Sequence, residues 1–284
     1  MAQFGIITLA HLGESSERYS QVRLWGSVGF MLVVVGFGYL FDRVGLEYYP
    51  WAILAVMSGI ILSSFWVPAQ PVTLNVKADL PQAVTHESRI TSMWPIVIFL
   101  ASVTLMQLSH GPYYTFLTLH LIDLNYSRTV IGWLWALGVL AEIGLFVIMP
   151  WMLRRVRLKR IILISLVLAA LRWWLLGFYA DTLMVLLFVQ ILHAATFGSF
   201  HAASIHFVQR YFAAHKQGQG QGLYVSFSGV GGALGALYAG YTWQAFGASL
   251  TFALASVIAV LAALLVVLGL RSIEQTESAL KKGS

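Results

Sequence analysis

Long apolar stretches, separated by short polar interruptions, run along most of this chain of 284 residues. A helix that crosses a lipid bilayer needs about 20 mostly apolar residues, and the chain contains eight stretches of that kind. Their approximate limits are 24–41, 49–67, 94–121, 130–152, 161–179, 184–207, 221–243 and 249–270. The pattern predicts an all-α integral membrane protein with eight complete transmembrane helices.

The composition agrees with a membrane protein and excludes several other classes. Hydrophobic residues make up 59% of the chain and charged residues only 10%, whereas a soluble domain carries about 25% charged residues. In a membrane protein the distribution of charge across the loops matters more than the net value of +6, so the net charge does not indicate a nucleic-acid partner. The absence of cysteine excludes disulfides and cysteine-based metal sites.

One interruption, residues 68–93, is longer than the others and divides the chain into domains. It is rich in Pro, Thr and Ser and poor in apolar runs, which is typical of a linker between two helical bundles. Residues 1–67 then form the remnant of an N-terminal bundle, and residues 94–270 form a six-helix bundle. The polar segment 271–284 is the C-terminal tail. Because only two predicted spans precede the linker and six follow it, we expect the first bundle to be truncated.

The basic residues predict which way the helices cross the membrane. Eight spans place both ends of the chain on the same side. That side then holds fourteen of the 17 Lys and Arg residues, while the opposite side holds only Arg43 and Arg128. Loops rich in Lys and Arg stay in the cytoplasm. We therefore expect a multi-pass protein of the inner (plasma) membrane whose termini, linker and basic loop 154–160 are cytoplasmic.

Polar and aromatic residues recur at helical spacing on three of the predicted spans. Successive residues of a helix are turned by about 100°, so positions i, i+3, i+7 and i+11 share one face. These stripes are Gln107, His110 and Tyr114; Trp135, Gly138 and Glu142; and Gln190, His193, Phe197 and His201. Polar groups in hydrocarbon pair with one another or face a wet cavity. One stripe alone is compatible with hydrogen bonds between helices, but three favour a shared substrate cavity.

Two oppositely charged residues lie inside the spans, Glu142 and Arg172. A structural salt bridge is one interpretation of the pair. The other is a proton switch, because burial favours the protonated carboxyl group and a nearby guanidinium favours the carboxylate. Movement of Arg172 towards or away from Glu142 would then bind or release a proton.

The residues of the stripes also suggest what the cavity binds. Tyr114, Trp135 and Phe197 offer surfaces on which a ring can stack, and Arg172 with the histidines could hold a carboxylate. An aromatic carboxylate is therefore the expected solute. A nucleoside or an oligosaccharide is the alternative, with Gln107 and Gln190 bonding to its hydroxyl groups.

Neither an enzyme nor a metal site is expected. His193, His201 and His206 lie on one span, but no two of them have the i, i+4 spacing that would clamp one ion. No nucleophile and base occur together at a convincing spacing.

Five segments resemble one branch of the major facilitator superfamily, the phenylpropionate permease group of proton symporters, which is related to the lactose permease-like oligosaccharide/proton symporters. They are YSQVRLWGSVGF (Tyr19–Phe30), LMQLSHGPYY (Leu105–Tyr114), GWLWALGVLAE (Gly132–Glu142), Arg172–Trp173 and VQILHAATFGSFHAA (Val189–Ala203). The resemblance implies a helix bundle of twelve membrane helices, of which this chain holds helices 5–12 and, in residues 1–12, the end of helix 4. It also implies alternating access to a central cavity.

The resemblance further implies proton-coupled uptake of an aromatic carboxylate such as 3-phenylpropionate. The proton gradient is then the energy source and no cofactor is needed. The expected partners are the solute, protons and membrane lipids, and the expected state is a monomer. A non-transporting, truncated remnant is the alternative.

In lactose permease-like carriers a Glu, an Arg and a His on helices 8, 9 and 10 form the coupling network. The resemblance implies the same role for Glu142, Arg172 and His193. Those carriers have a second Glu three residues after the His, where this chain has Thr196. The proton carrier is therefore expected to be Glu142 or a histidine.

The predicted orientation can be tested with topology reporters. A reporter fused after Arg157 should behave as cytoplasmic, and one fused after Asn125 should behave as external, because positively charged loops are retained inside. The opposite pattern of reporter activity would contradict the orientation.

Overall fold

A computed structural model of the chain describes residues 19–66, 93–212 and 216–269, and every regular element in these ranges is helical. The α-helices are α1 (Tyr19–Val44), α2 (Tyr49–Ser64), α3 (Trp94–Asp123), α4 (Arg128–Arg155), α5 (Leu158–Phe178), α6 (Leu183–His193), α7 (Ser199–Tyr211) and α8 (Gln217–Gly269). A 3-10 turn, Leu46–Tyr48, precedes α2, and a π turn, Ala194–Gly198, joins α6 to α7. The expected end of helix 4, nearly all of the linker and the tail lie outside the described residues.

Six helical stretches in the described part of the chain are long and apolar enough to cross a membrane. They are Leu46–Ser64, Trp94–Asp123, Arg128–Arg155, Leu158–Phe178, Leu183–Tyr211 and Gln217–Gly269. The prediction of an all-helical membrane protein is thereby confirmed. The count of eight complete spans is not confirmed and remains a prediction.

The last stretch contains two helices rather than one. Its 53 residues would measure about 80 Å as a single helix, far more than the ~30 Å hydrocarbon core of a bilayer. Gly247 breaks it with φ 78°, a conformation that glycine adopts without steric cost. Beyond the break the chain folds back, so that the hydroxyls of Thr251 and Thr242 lie 3.1 Å apart. The predicted spans 221–243 and 249–270 fall on these two arms.

The structure divides into two compact units. The first holds α1, α2 and the beginning of α4, up to Ala136. Within it, Asp42 at the end of α1 caps α4. Its carboxylate accepts hydrogen bonds from the backbone N–H groups of Arg128 (2.9 Å) and Thr129 (2.7 Å). A carboxylate at a helix N-terminus satisfies the free N–H groups there and complements the helix dipole.

In the second unit, α3 packs along the first arm of α8 through glycines. A side chain on Gly111 would collide with the backbone of Gly235, and one on Gly231 would collide with the backbone of Thr104. A Cβ on Gly235 would lie 2.9 Å from the carbonyl oxygen of Leu108. Gly231 and Gly235 form a GxxxG pattern, and the structure supports helix packing as its role.

Helix α5 lies in the middle of the second unit and carries its core. It contacts α8, where Ser256 donates a hydrogen bond of 2.8 Å to the carbonyl of Ala170. It also contacts α7, where the hydroxyls of Ser165 and Ser199 lie 2.6 Å apart. Because α5 is packed on both sides, Trp173 is fully buried.

The close packing of α3 against α8 predicts that the same substitution at two glycines of α8 will change stability by different amounts. Gly235→Val should lower the free energy of unfolding by about 1–3 kcal/mol more than Gly229→Val, because only Gly235 has backbone atoms where its side chain would go. The midpoint of thermal unfolding in detergent measures the difference. Equal midpoints for the two variants would show that close contact between α3 and α8 is not needed.

Candidate functional site

The guanidinium of Arg172 on α5 is the centre of the candidate site. The side chain is 0% exposed. Its Nε donates a hydrogen bond of 3.0 Å to the backbone carbonyl of Val189 on α6. Longer bonds run from Nη1 to the hydroxyl of Thr196 (3.4 Å) and from Nη2 to the side-chain oxygen of Gln190 (3.5 Å). A charge away from water needs such partners, because each unpaired polar group there costs free energy.

Two aromatic rings complete the surroundings of Arg172. The guanidinium carbon lies 4.1 Å from the ring centre of Tyr113 and 4.7 Å from that of Trp173, within the range of cation–π attraction. Tyr113 donates a hydrogen bond of 2.9 Å to Gln190, and Trp173 donates one of 3.2 Å to Ser109. Each ring is therefore fixed at its polar edge, and the two rings hold the cation between helices.

A column of rings follows α6, the π turn and α7. His193 stacks on Phe197 with ring centres 5.4 Å apart and planes 5° apart. Phe197 stacks in the same way on His201, at 6.3 Å and 6°. His201 Nδ1 and the hydroxyl of Tyr224 lie 2.7 Å apart. The structure thus brings His193, Phe197 and His201 together on one face.

The predicted stripe on α3 meets this column. The ring centre of Phe197 lies 5.7 Å from that of His110 and 6.1 Å from that of Tyr114. Tyr113 stacks on His193 at 5.4 Å. Two of the three predicted stripes therefore contact each other. Gln107 of the α3 stripe lies against α8, where its Cβ is 3.0 Å from the position of a Cβ on Gly231.

The two buried histidines of the site each have a ring nitrogen with no hydrogen-bond partner among the described residues, His110 Nε2 and His193 Nδ1. His110 Nδ1 lies 2.9 Å from the carbonyl of Met106. A carbonyl can only accept, so this nitrogen carries the proton, and Nε2 of the neutral ring is an acceptor. A buried polar atom without a partner costs about 1–3 kcal/mol and calls for an explanation. These nitrogens are the candidate contacts for a ligand.

Glu142 on α4 faces the same group. A Cβ on Gly198 would lie 3.0 Å from its Cγ, and the carboxyl group interacts electrostatically with Arg172. Gly138, one turn earlier, lies beside Gln190, whose backbone oxygen would be 3.7 Å from a Cβ there. Trp135 is half-buried and belongs to the other compact unit. Its part in the site therefore remains a prediction, as do the substrate and proton roles of all these residues.

Three residues of the cluster were not among the sequence-based site predictions: Tyr113, Trp173 and Tyr224. Tyr113 follows His110 by three residues, so helical spacing could have found it. Trp173 and Tyr224 carry no such signal, because the neighbours that define their contacts come from other helices.

Comparison with known proteins shows which family the chain belongs to. The family model described as the MFS_1 like family matches residues 1–254. The probable 3-phenylpropionic acid transporter of Escherichia coli (strain K12) is 31% identical over 244 residues, which are 81% of this chain and 60% of that protein. The maltose permease of Geobacillus stearothermophilus is 25% identical over 273 residues, 91% of this chain and 66% of that protein. The chain thus spans about three fifths to two thirds of the length of these relatives.

A solved structure has the same fold. The crystal structure of a point mutant of the nucleoside transporter NupG matches with a TM-score of 0.70 and 17% identity, over 92% of this chain and 71% of that one. At this identity the match establishes the helical fold alone.

Proposed function

This chain belongs to the MFS_1 like family, and we propose that it carries the solute site of a proton-coupled transporter. In this proposal the solute is a small organic molecule, best represented by an aromatic carboxylate such as 3-phenylpropionate. Transport proceeds by alternating access, in which the site opens to one side of the membrane at a time. Glu142, Arg172 and His193 couple the solute to the proton.

The observation that supports the proposal most is the combination of a buried cation, stacked rings and two unpartnered imidazole nitrogens. An aromatic solute can stack on rings such as Phe197 and Tyr114, and Tyr114 is 49% exposed and so accessible. The donors of Arg172 already point to protein acceptors. Its charge therefore attracts an anion into the site, while His110 and His193 supply the atoms that contact it.

The same histidines connect anion binding to proton uptake. A neutral imidazole offers His110 Nε2 as an acceptor, which repels a carboxylate oxygen, whereas the protonated ring offers a donor. Binding of a carboxylate there favours the protonated form by linkage. Glu142 provides the second protonation site, where the fixed charge of Arg172 opposes the effect of burial. A static salt bridge between Glu142 and Arg172 is the competing interpretation.

A change at Glu142 separates these interpretations. We expect Glu142→Gln, which mimics the protonated carboxyl group, to abolish uphill accumulation of 3-phenylpropionate, because the side chain cannot release a proton. Downhill exchange of labelled for unlabelled solute should persist, since it needs no net deprotonation. Uptake into vesicles of full-length protein, with and without an imposed proton gradient, measures both activities.

The control is Glu47→Gln, which makes the same chemical change at an exposed position of the first unit. It should keep uphill accumulation. If the Glu142 variant still accumulates solute against a gradient, Glu142 is not the proton carrier, and His193 or His201 takes that place in the proposal.

Arg172→Gln tests the attraction of anions. Glutamine removes the positive charge that lies over Tyr113 and Trp173. We expect the affinity for 3-phenylpropionate to fall about tenfold or more, and the affinity for a neutral nucleoside to fall less. Competition binding with both solutes measures the two losses. Equal losses would assign Arg172 a purely structural role.

A nucleoside or an oligosaccharide is the second candidate solute. His110 Nε2 of the neutral ring favours it, because a hydroxyl group can donate a hydrogen bond to that nitrogen while the ring stacks nearby. The two candidates differ in the pH dependence of binding. A carboxylate should bind more tightly as the histidines become protonated, and a hydroxyl donor should bind less tightly.

A further inference from the structure

We propose that the π turn Ala194–Gly198 positions the proton-coupling residues, with Thr196 holding Arg172 and Gly198 making room for Glu142. The transport readout of this proposal rests on the proposed function, whereas its structural readout does not. Thr196 and Gly198 are positioning residues, because they act through Arg172 and Glu142 rather than on the solute.

The turn is wider than the helix on either side. The backbone N–H of Ser199 bonds to the carbonyl of Ala194, five residues back, whereas an α-helix bonds four residues back. Such a turn holds one residue more than the regular helix and occurs as a single-turn bulge. The extra residue therefore shifts the register of the side chains of α7 relative to those of α6. The two helices still form one continuous helical stretch of 29 residues.

Thr196 uses its hydroxyl in two directions. It donates a hydrogen bond of 3.1 Å to the backbone carbonyl of His193, and it accepts one of 3.4 Å from Nη1 of Arg172. A hydroxyl has one donor and two acceptor positions, so both bonds form together. The first bond stabilises the turn from inside, and the second ties the turn to α5.

Gly198 lies against two residues of α4. A Cβ at this position would lie 3.0 Å from Glu142 Cγ and 3.0 Å from Leu145 Cδ2, closer than carbon atoms normally approach. The absence of a side chain therefore lets Glu142 approach the turn. The two residues of the proposed coupling pair touch the same five-residue turn, two positions apart.

The turn also lies within the ring column. Phe197 belongs to the turn, and His193 and His201 lie before and after it. The ring of Phe197 stacks on that of His193 with planes 5° apart and on that of His201 with planes 6° apart. The residue that stacks on both histidines is therefore part of the same turn as the residues that contact Arg172 and Glu142.

The titratable and charged groups that face this region come from five helices. They are Tyr113, Tyr114 and His110 on α3, Glu142 on α4, Arg172 on α5, His193 on α6 and His201 on α7. Thr196 itself does not titrate, so a change at Thr196 alters a pH response only by repositioning these groups.

The structural test uses amide hydrogen exchange and no solute. Thr196→Val keeps the shape of the side chain but removes both hydrogen bonds, and we expect exchange of the peptide 194–199 to accelerate on the order of tenfold. Thr196→Ser should retain the slow exchange, because it keeps the hydroxyl. Thr251→Val is the matched control, since it removes a buried hydroxyl bond on α8 far along the chain, and it should leave exchange of 194–199 unchanged.

The functional test is the pH profile of 3-phenylpropionate uptake. We expect Thr196→Val and Gly198→Ala to displace the pH of half-maximal uptake by about half a unit or more. Thr196→Ser, Thr251→Val and Gly229→Ala should keep the profile of the unaltered chain. A merely destabilised protein would lose activity at every pH without displacement of this midpoint.

Unchanged exchange in the Thr196→Val variant, or equal acceleration in the Ser variant, would overturn the proposal. So would an unchanged pH midpoint in the Val variant. If the unaltered protein moves no 3-phenylpropionate, the proposed function fails on its own, and the exchange measurement alone decides whether the Thr196 hydroxyl stabilises the turn.

Discussion

A positive charge that is buried in the protein and cannot reach water is the constraint on which the second unit depends. The guanidinium of Arg172 is stable there only because several helices converge on it. Helix α6 supplies the carbonyl of Val189, and α3 supplies the ring of Tyr113. These contacts require α3, α5 and α6 to lie close together. The contact between Gly111 and Gly235 adds α8 to this group, because it lets that helix pack directly against α3.

The groups of the site also differ in whether all of their polar atoms have hydrogen-bond partners among the described residues. Arg172 is engaged with protein acceptors, whereas His110 and His193 each keep one nitrogen without a described partner. In the proposed mechanism Arg172 sets the charge of the site, and the histidines distinguish one solute from another.

The helices and the faces of two stripes could be predicted from the sequence, because hydrophobic length and helical spacing are local properties. His110, Tyr114, His193 and Phe197 do meet, as the spacing suggested. The π turn could not be predicted, since an extra residue in one turn leaves no hydrophobic or polar signature and the spacing rule assumes a regular helix.

Contacts between helices were equally out of reach of the sequence. The role of Tyr113 depends on a hydrogen bond to Gln190, which is 77 residues away along the chain. Trp135 has the same helical spacing to Glu142 that places other residues in the site, yet the two belong to different compact units. The break at Gly247 differs, because it falls in the gap that the sequence left between the predicted spans 221–243 and 249–270.

The central claim is that this cluster binds an anionic aromatic solute together with a proton. The most direct measurement is the pH change of a weakly buffered solution of the full-length protein when a solute is added. The account predicts that 3-phenylpropionate causes proton uptake and makes the solution more alkaline, whereas a nucleoside or maltose at the same concentration does not. Binding of 3-phenylpropionate with no uptake of protons at any pH at which the solute binds would contradict it.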